Sequence, residues 1–147
     1  MGEVRKAEVR LRTLLSFYDS FLKLTLKGMK EVIGERGAAS VLKFAARDYG
    51  ASLAKSMKAL GHNELKDALA MVLDRAGAEP EIVEEDGKLL VKLKNCPFRR
   101  PEEEPFLCII TEGLIEGFSN AFGKARTNKL RTRADGADHC AFEILPS

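Results

Sequence analysis

Three cysteines are the residues of this chain whose type and spacing could do chemistry. Cys96, Cys108 and Cys140 are separated by eleven and then thirty-one intervening residues. Three thiolates with one further ligand would match a structural or sensing zinc site, although this spacing is no recognised zinc motif. A free cysteine also packs as a small buried hydrophobe. Zinc binding, simple core packing and a nucleophilic thiol therefore stand as three alternative interpretations.

The candidates for a fourth metal ligand are Glu112, His139 and His62. Glu112 lies one helical turn beyond Cys108 and faces the same way. His139 precedes Cys140, and neighbours in a strand point to opposite faces of a sheet. It can therefore share a metal with that cysteine only if it still belongs to the preceding turn.

The nucleophilic alternative favours Cys108, because a helix N-terminus lowers the pKa of a thiol. The acidic run Glu102–Glu104 acts in the opposite direction. The sequence offers His62 and His139 as its two histidines and places neither of them as a base.

A second candidate site is the segment Lys124–Arg133, which carries five basic side chains and no acidic one. A solvated edge strand protected by its charge explains this pattern. The alternative is contact with an anion or a nucleic acid, which the shortage of aromatic side chains disfavours.

The elements that must position these residues begin with a long amphipathic segment. Apolar side chains from Val4 to Thr25 recur at alternating steps of three and four residues, which predicts a helix. A single helix from Glu3 to Ile33 would be about 46 Å long. We expect a break near Ser16–Ser20, because Asp19 and Ser20 are helix-start residues; the alternative is that the first half pairs with a second subunit.

Two further helices are predicted, across Ala38–Met57 and Glu64–Arg75, with Asn63 as the N-cap of the second. The first has a thin side at Gly50, where another element could approach closely. The second helix is acidic where a DNA-facing helix should be basic, which argues against a helix-turn-helix.

After Gly77 the pattern changes to a hairpin, a helix and a second hairpin. Glu79–Glu84 and Lys88–Lys94 flank an Asp-Gly turn signal, and the helix Pro105–Gly123 follows. Gly113 and Gly117 inside this helix suggest the close approach of a sheet, a second helix or a ligand. Lys124–Arg133 and Cys140–Leu145 form the second hairpin. The predicted fold is α+β: N-terminal helices, then a hairpin–helix–hairpin that forms a four-stranded antiparallel sheet packed on helices.

Composition narrows the class of protein. The chain has 147 residues, 45% of them apolar and 31% charged, with a net charge of +2. These values predict a single globular domain over residues 1–147. We expect a cytoplasmic protein with reduced thiols, because the sequence shows no membrane-length apolar run and no export signal.

The C-terminal half resembles the 4-vinyl reductase superfamily of small-molecule-binding domains, especially its archaeal branch, the methanogen output domain. The residues that carry the resemblance are NCPF at Asn95–Phe98, LCIITEGLIEGF at Leu107–Phe118 and DGADHCAFEI at Asp135–Ile144. The helical sequence Glu35–Ala54 is also similar, so the likeness covers about residues 35–145. It implies that residues 1–147 form a single ligand-binding domain, with a helical segment 1–34 before a family-like core 35–145. It implies an α+β fold like that of the Bet3-type trafficking subunits, a dimer, small hydrophobic ligands and a cysteine-held metal.

Carried over position by position, the likeness assigns Cys96, Cys108 and Cys140 to the cysteine positions of the methanogen branch. Many superfamily members carry another cysteine seven residues before the last one, where this chain has Arg133. The tail Arg131–Phe142 is also similar to the L-2-amino-thiazoline-4-carboxylate hydrolase family. That likeness implies an alternative function, hydrolysis of a thiazoline or cyclic amide-like substrate by Cys108 or Cys140.

The prediction from the sequence is therefore a cytoplasmic, dimeric sensor or small-molecule-binding domain, and the sequence leaves open whether it is also an enzyme. We expect an apolar pocket between the central helix and the N-terminal helices, with Phe44, Tyr49, Leu114 and Phe118 as lining residues. A zinc ion bound by the three cysteines, with Glu112 or His139 as a further ligand, is the expected cofactor. Hydrolysis and nucleic-acid binding through Lys124–Arg133 stay as alternatives.

Overall fold

The computed structural model describes residues 2–123 and 125–146. It begins with one long helix, α1 (Glu3–Ala59), whose helical geometry is broken at Gly34, with φ 80° and ψ 165°. The predicted break near Ser16–Ser20 is wrong. Asp19 forms an ion pair with Lys23 one turn later (3.1 Å) and so supports the helix instead of starting a new one.

The chain divides into two compact units, Met1–Ala38 and Ala39–Ser147. The first unit consists of the part of α1 before and just after Gly34. The second unit begins with the remainder of α1 and continues with helix α2 (Leu65–Arg75). Asn63 is not the N-cap of α2, because Glu64 takes that position and the Asn63 side-chain amide donates to the Gly61 carbonyl (3.4 Å).

The rest of the second unit contains one sheet and one helix. The strands are β1 (Pro80–Glu85), β2 (Lys88–Leu93), β3 (Ala125–Arg131) and β4 (Cys140–Pro146), and helix α3 (Leu107–Asn120) lies between the two hairpins. All neighbouring strands are antiparallel, in the order β1-β2-β4-β3. The predicted α+β class and the four-stranded antiparallel sheet are confirmed.

The hydrophobic core fills the space between one face of the sheet and the helices. Val91, Leu93 and Phe142 from the sheet meet Leu69 from α2 and Phe118 from α3, and each of the five is at most 1% exposed. Alternation along β2 and β4 places every second side chain in this core. The core therefore fixes the strand register, and with it the positions of residues at the strand ends.

Helix α3 packs directly on the second part of α1 through glycines. A Cβ atom on Gly113 would lie 2.8 Å from the Ala46 Cβ atom, and one on Gly117 would overlap the Arg47 carbonyl. Gly50 makes the reciprocal approach to the backbone of α3 at Leu114. The sequence predicted that these glycines allow close approach, and the approaching element is a second helix.

Strand β3 is at the edge of the sheet, where its basic side chains Arg126, Lys129 and Arg131 are exposed. The register shifts between Lys129 and Arg131, a bulge of the kind that protects sheet edges from pairing with other chains. The edge-strand interpretation is confirmed for the described part of the segment Lys124–Arg133. Lys124 itself lies outside the described residues. Contact with nucleic acid stays a prediction.

Candidate functional site

The three cysteines come from three different elements at one end of the sheet. Cys140 is the first residue of β4 and pairs opposite Leu93, the last residue of β2. Cys96 follows β2 by three residues, and Cys108 is the second residue of α3. Two short 3-10 turns, Pro101–Glu103 and Arg133–Asp135, contact each other in the loops that join these elements. We call this region the thiol junction and define it by Cys96, Cys108 and Cys140.

Main-chain and hydroxyl groups of the loop after β3 surround the junction. The backbone N–H of Arg133 donates to the Cys140 Sγ atom (3.4 Å). The side chain of Thr132 is 1% exposed, and its hydroxyl bonds to the Asp135 carboxylate (2.7 Å). The same side chain hydrogen-bonds to Cys108. This loop therefore supplies the polar partners of two thiols.

Burial decides the protonation of the thiols. It is the main cause that raises the pKa of Cys96, and the nearby Cys140 and Cys108 raise it further against a backbone hydrogen bond from Phe98. Burial also raises the pKa of Cys108, a side-chain hydrogen bond with Thr132 opposes the change, and Cys140 adds to it. Cys140 thus raises the pKa of both thiols, and both are protonated near neutral pH.

The arrangement does not by itself form a metal centre. Within residues 2–123 and 125–146, no group of three or more His, Cys, Asp or Glu side chains is close enough to hold a metal ion. All three cysteines are free thiols, of which Cys108 and Cys140 are buried and Cys96 is half-buried. The donor types suit zinc, but the side chains would have to move closer together to bind one.

The two main candidates for a fourth ligand differ in position. His139 lines a groove on the outer face of the sheet with Lys92 and Ala141, and its ring contacts Asp138. His139 lies in the turn before β4, the position that the sequence left open for it, whereas Cys140 points the other way, into the core. Glu112 is half-buried on α3, one turn beyond Cys108.

A nucleophilic role for Cys108 meets a physical difficulty. A reactive thiol needs a lowered pKa, whereas burial raises the pKa of Cys108. Its hydrogen-bond partner is the hydroxyl of Thr132, which is not a general base near neutral pH.

The four residues predicted to line a ligand pocket lie in different environments. Phe44 and Tyr49 are 74% and 59% exposed on α1. Leu114 is half-buried on α3, while Phe118 is fully buried in the core and stacks on Phe122 with ring centroids 5.4 Å apart. These placements give Phe118 a packing role, and they leave the ligand pocket a prediction.

Sequence reasoning missed Thr132 and the backbone of Arg133 as parts of the junction. One signal was available for Arg133, because it precedes Cys140 by the seven residues at which many superfamily members carry a cysteine. The structure places its N–H beside that sulfur. Thr132 gave no comparable signal, because a threonine at a strand end is ordinary.

The geometry can now be compared with known proteins. Residues 47–145, more than half of the chain, match the family model described as Methanogen output domain 1. The chain belongs to the methanogen output domain 1 family. This result confirms the resemblance that the cysteine-bearing segments predicted. A comparison with curated proteins gave no match.

Three solved structures are similar to this chain in fold. The phenol-responsive sensory domain of the transcription activator PoxR, solved with phenol, has a TM-score of 0.72 at 14% identity, covering 87% of this chain and 74% of that one. A trafficking protein particle complex subunit 3 from Naegleria fowleri, covalently bound to palmitic acid, has a TM-score of 0.63 at 15% identity, covering 95% and 96%.

The third structure is the H-NOX domain from Shewanella oneidensis in its Fe(II)CO state. Its TM-score is 0.60 at 16% identity, covering 90% of this chain and 77% of that one. At these identities the likeness concerns the fold.

Proposed function

We propose that this chain is a cytoplasmic sensor domain that binds a small apolar molecule, acts as a homodimer and holds a zinc ion at the thiol junction. The observation that carries the ligand-binding part is the fold, which this chain shares over most of its length with the phenol-responsive and palmitate-bound proteins. The free thiols support a reducing compartment. Among the described residues, no helix has the length and apolar composition needed to cross a membrane.

Ligand binding is tested with phenol and palmitate as probes, one small aromatic and one long-chain molecule. We expect one of them to raise the melting temperature of the purified chain, because a ligand that binds only the folded state stabilises it. Native mass spectrometry would show the stoichiometry and any apolar molecule that is already bound. If neither probe binds and nothing apolar accompanies the protein, the ligand-binding part of the proposal fails.

The zinc part of the proposal is supported by the position of the three cysteines, which three elements bring to one end of the sheet. Cys96, Cys108 and Cys140 would supply thiolate ligands, with Glu112 or a water molecule completing four-coordination. The N–H of Arg133 would continue to donate to the Cys140 sulfur and orient it. A zinc ion held in this way would link the loop after β2 to α3 and β4 and so stabilise the fold.

Metal analysis of protein purified without a histidine tag tests this site. We expect about one zinc per chain in the native protein, and a loss of most of it in Cys140→Ser, since a serine hydroxyl is a poor zinc ligand. Ala141→Ser is the matched control, because it introduces the same side chain on the outer face of the same strand. The absence of metal from both native and control protein would exclude the zinc site.

The zinc affinity is expected to rise with pH. Because burial raises the pKa of Cys96 and of Cys108, both bind a proton below those pKa values, and each must lose it to become a ligand. The affinity should therefore increase by about tenfold per pH unit for each proton released, as pH rises from 6.5 to 7.5. Competition against a chromophoric chelator measures this dependence, and a flat profile would mean that thiols are not the ligands.

A further inference from the structure

The first part of α1 exposes a continuous apolar stripe. Large hydrophobic side chains along it range from 51% exposed at Leu14 to 83% exposed at Val32, with Phe17, Tyr18 and Phe21 between these values. The rings lie against one another along the helix, with centroids 6.3 Å apart for Phe17 and Phe21 and 5.5 Å for Phe17 and Tyr18. Most helices in proteins gain their stability by packing such a face, so this stripe is the surface of an interaction.

The stripe has the periodicity and the size of a helix-pairing surface. The residues along its centre follow a heptad pattern, which is typical of a coiled coil. We call these residues the seam: Val4, Ala7, Leu11, Leu14, Tyr18, Phe21, Thr25, Gly28 and Val32. A fully buried aromatic ring covers 150–250 Å², so the three exposed rings alone leave roughly 300–450 Å² for a partner to cover. With the leucines beside them, the stripe approaches the roughly 800 Å² per partner of a stable interface.

We propose that two copies of this chain pair along the seam with their helices antiparallel. The inference rests on the homodimer of the proposed function and assigns its interface. Side chains on both sides of the seam decide the orientation. In a parallel pair, Glu3 would face Glu8 of the second copy, which is repulsive.

In an antiparallel pair centred between Asp19 and Ser20, the seam residues are complementary. Tyr18 packs on Phe21 of the second copy at the centre. Leu11 meets the small Gly28 of the second copy, and Ala7 meets Val32, so large residues face small ones. Packing of this kind fills an interface without voids.

The residues beside the seam fit the same register. Phe17 lies opposite Leu24 of the second copy, and Leu15 lies opposite Leu22. Arg10 then faces Glu31 of the second copy, and the twofold symmetry repeats each of these pairs. Charge and apolar packing therefore favour the same alignment.

An anionic membrane surface is the other kind of partner that an amphipathic helix can bind. Residues 3–33 carry seven basic and four acidic side chains, a difference of 7 − 4 = +3. However, Glu3, Glu8 and Glu31 lie beside the seam itself, where a bilayer with negative headgroups would repel them. The distribution of charge favours a second copy.

The interface is tested first by the oligomeric state. Light scattering on a gel-filtration column should give twice the chain mass for the native protein and the single-chain mass for Leu14→Asp, which places a charge in the seam. Ser16→Asp adds the same charge on the opposite side of the helix and should remain dimeric.

The outcomes separate the inference from the proposed function. A native protein that is monomeric would overturn both the homodimer and the seam. A dimer that survives Leu14→Asp would overturn the seam alone. Sedimentation of a monomeric native protein with vesicles of phosphatidylcholine and phosphatidylserine, lost in Leu14→Asp, would assign the stripe to membranes and overturn the proposal.

The antiparallel orientation is tested by reversing charges. Arg10→Glu places two acidic side chains together at each end of the dimer and should raise its dissociation constant by about tenfold, as should Glu31→Arg. The double variant exchanges the two charges and should return the constant to the native value. Arg12 lies neither in the seam nor beside it. Arg12→Glu is therefore the control and should change the dissociation constant by less than twofold. A double variant no tighter than the single ones would overturn the antiparallel register.

Discussion

Replacing Gly117 with alanine is expected to lower the free energy of unfolding by about 3 kcal/mol, the upper end of the usual range for overpacking a core. The added Cβ atom would overlap the carbonyl group of Arg47 on α1. Both sides of this contact are backbone, so no side-chain rotation can relieve it, and the two helices must separate. Chemical denaturation followed by circular dichroism measures the loss.

A second glycine provides the control for this prediction. Gly28 is also helical, but a Cβ atom there would meet nothing within 4 Å. In the Leu14→Asp background, in which the seam is expected to be unpaired, Gly28→Ala should therefore leave stability unchanged or raise it by about 0.4–1 kcal/mol, because alanine restricts the unfolded chain. If both variants lose the same stability, the close contact between α1 and α3 does not explain the effect of replacing Gly117.

Phe118→Ala is expected to cost about 3–5 kcal/mol, the usual range for deleting a buried aromatic ring. Phe118 is 0% exposed, it lies in the core between α2, α3 and the sheet, and it stacks on Phe122. Its removal leaves a cavity that the rigid sheet cannot close. Thermal unfolding should show a fall in melting temperature of about 6–20 °C for a domain of this size, at about 2–4 °C per kcal/mol.

The matched substitution Phe44→Ala should change stability by less than about 0.5 kcal/mol, since Phe44 is 74% exposed. The pair separates packing from binding, because both residues were predicted to line the same pocket. A loss of probe binding in Phe44→Ala without a loss of stability would place Phe44 at the ligand. Equal stability losses in the two variants would contradict the packing role assigned to Phe118.

Local signals in the sequence predicted much of the fold. Asp86 and Gly87 have the positive φ values of 52° and 78° that the Asp-Gly turn signal requires, and the strands beside them pair as predicted. Gly113 and Gly117 predicted a close approach, and the sequence left open whether a sheet, a helix or a ligand makes it. The starts of helices were harder to predict. Asp19 forms an ion pair inside α1 instead of starting a helix, and Asn63 bonds to Gly61 instead of capping α2.

The site was less predictable than the fold, because it depends on contacts between distant segments. The turn position of His139, which the sequence left open, is a local feature, and from there its ring lines the outer groove while Cys140 points into the core. The positions of Thr132 and Arg133 beside the thiols depend instead on how the loop after β3 turns back, which no periodicity encodes. The exposed fractions of Phe44 and Phe118 likewise depend on which face of each helix meets the core.

The pairing of β2 with β4 has a consequence for the order of folding. Each hairpin joins neighbours in sequence, so it can close quickly, whereas Leu93 meets Cys140 only when the two hairpins dock across the intervening helix. Contacts between distant residues form late, because the entropy of a long loop must be lost first. We therefore expect the three thiols to come together only in the final step of folding. Their protection from a thiol-labelling reagent during refolding would then time the completion of the sheet.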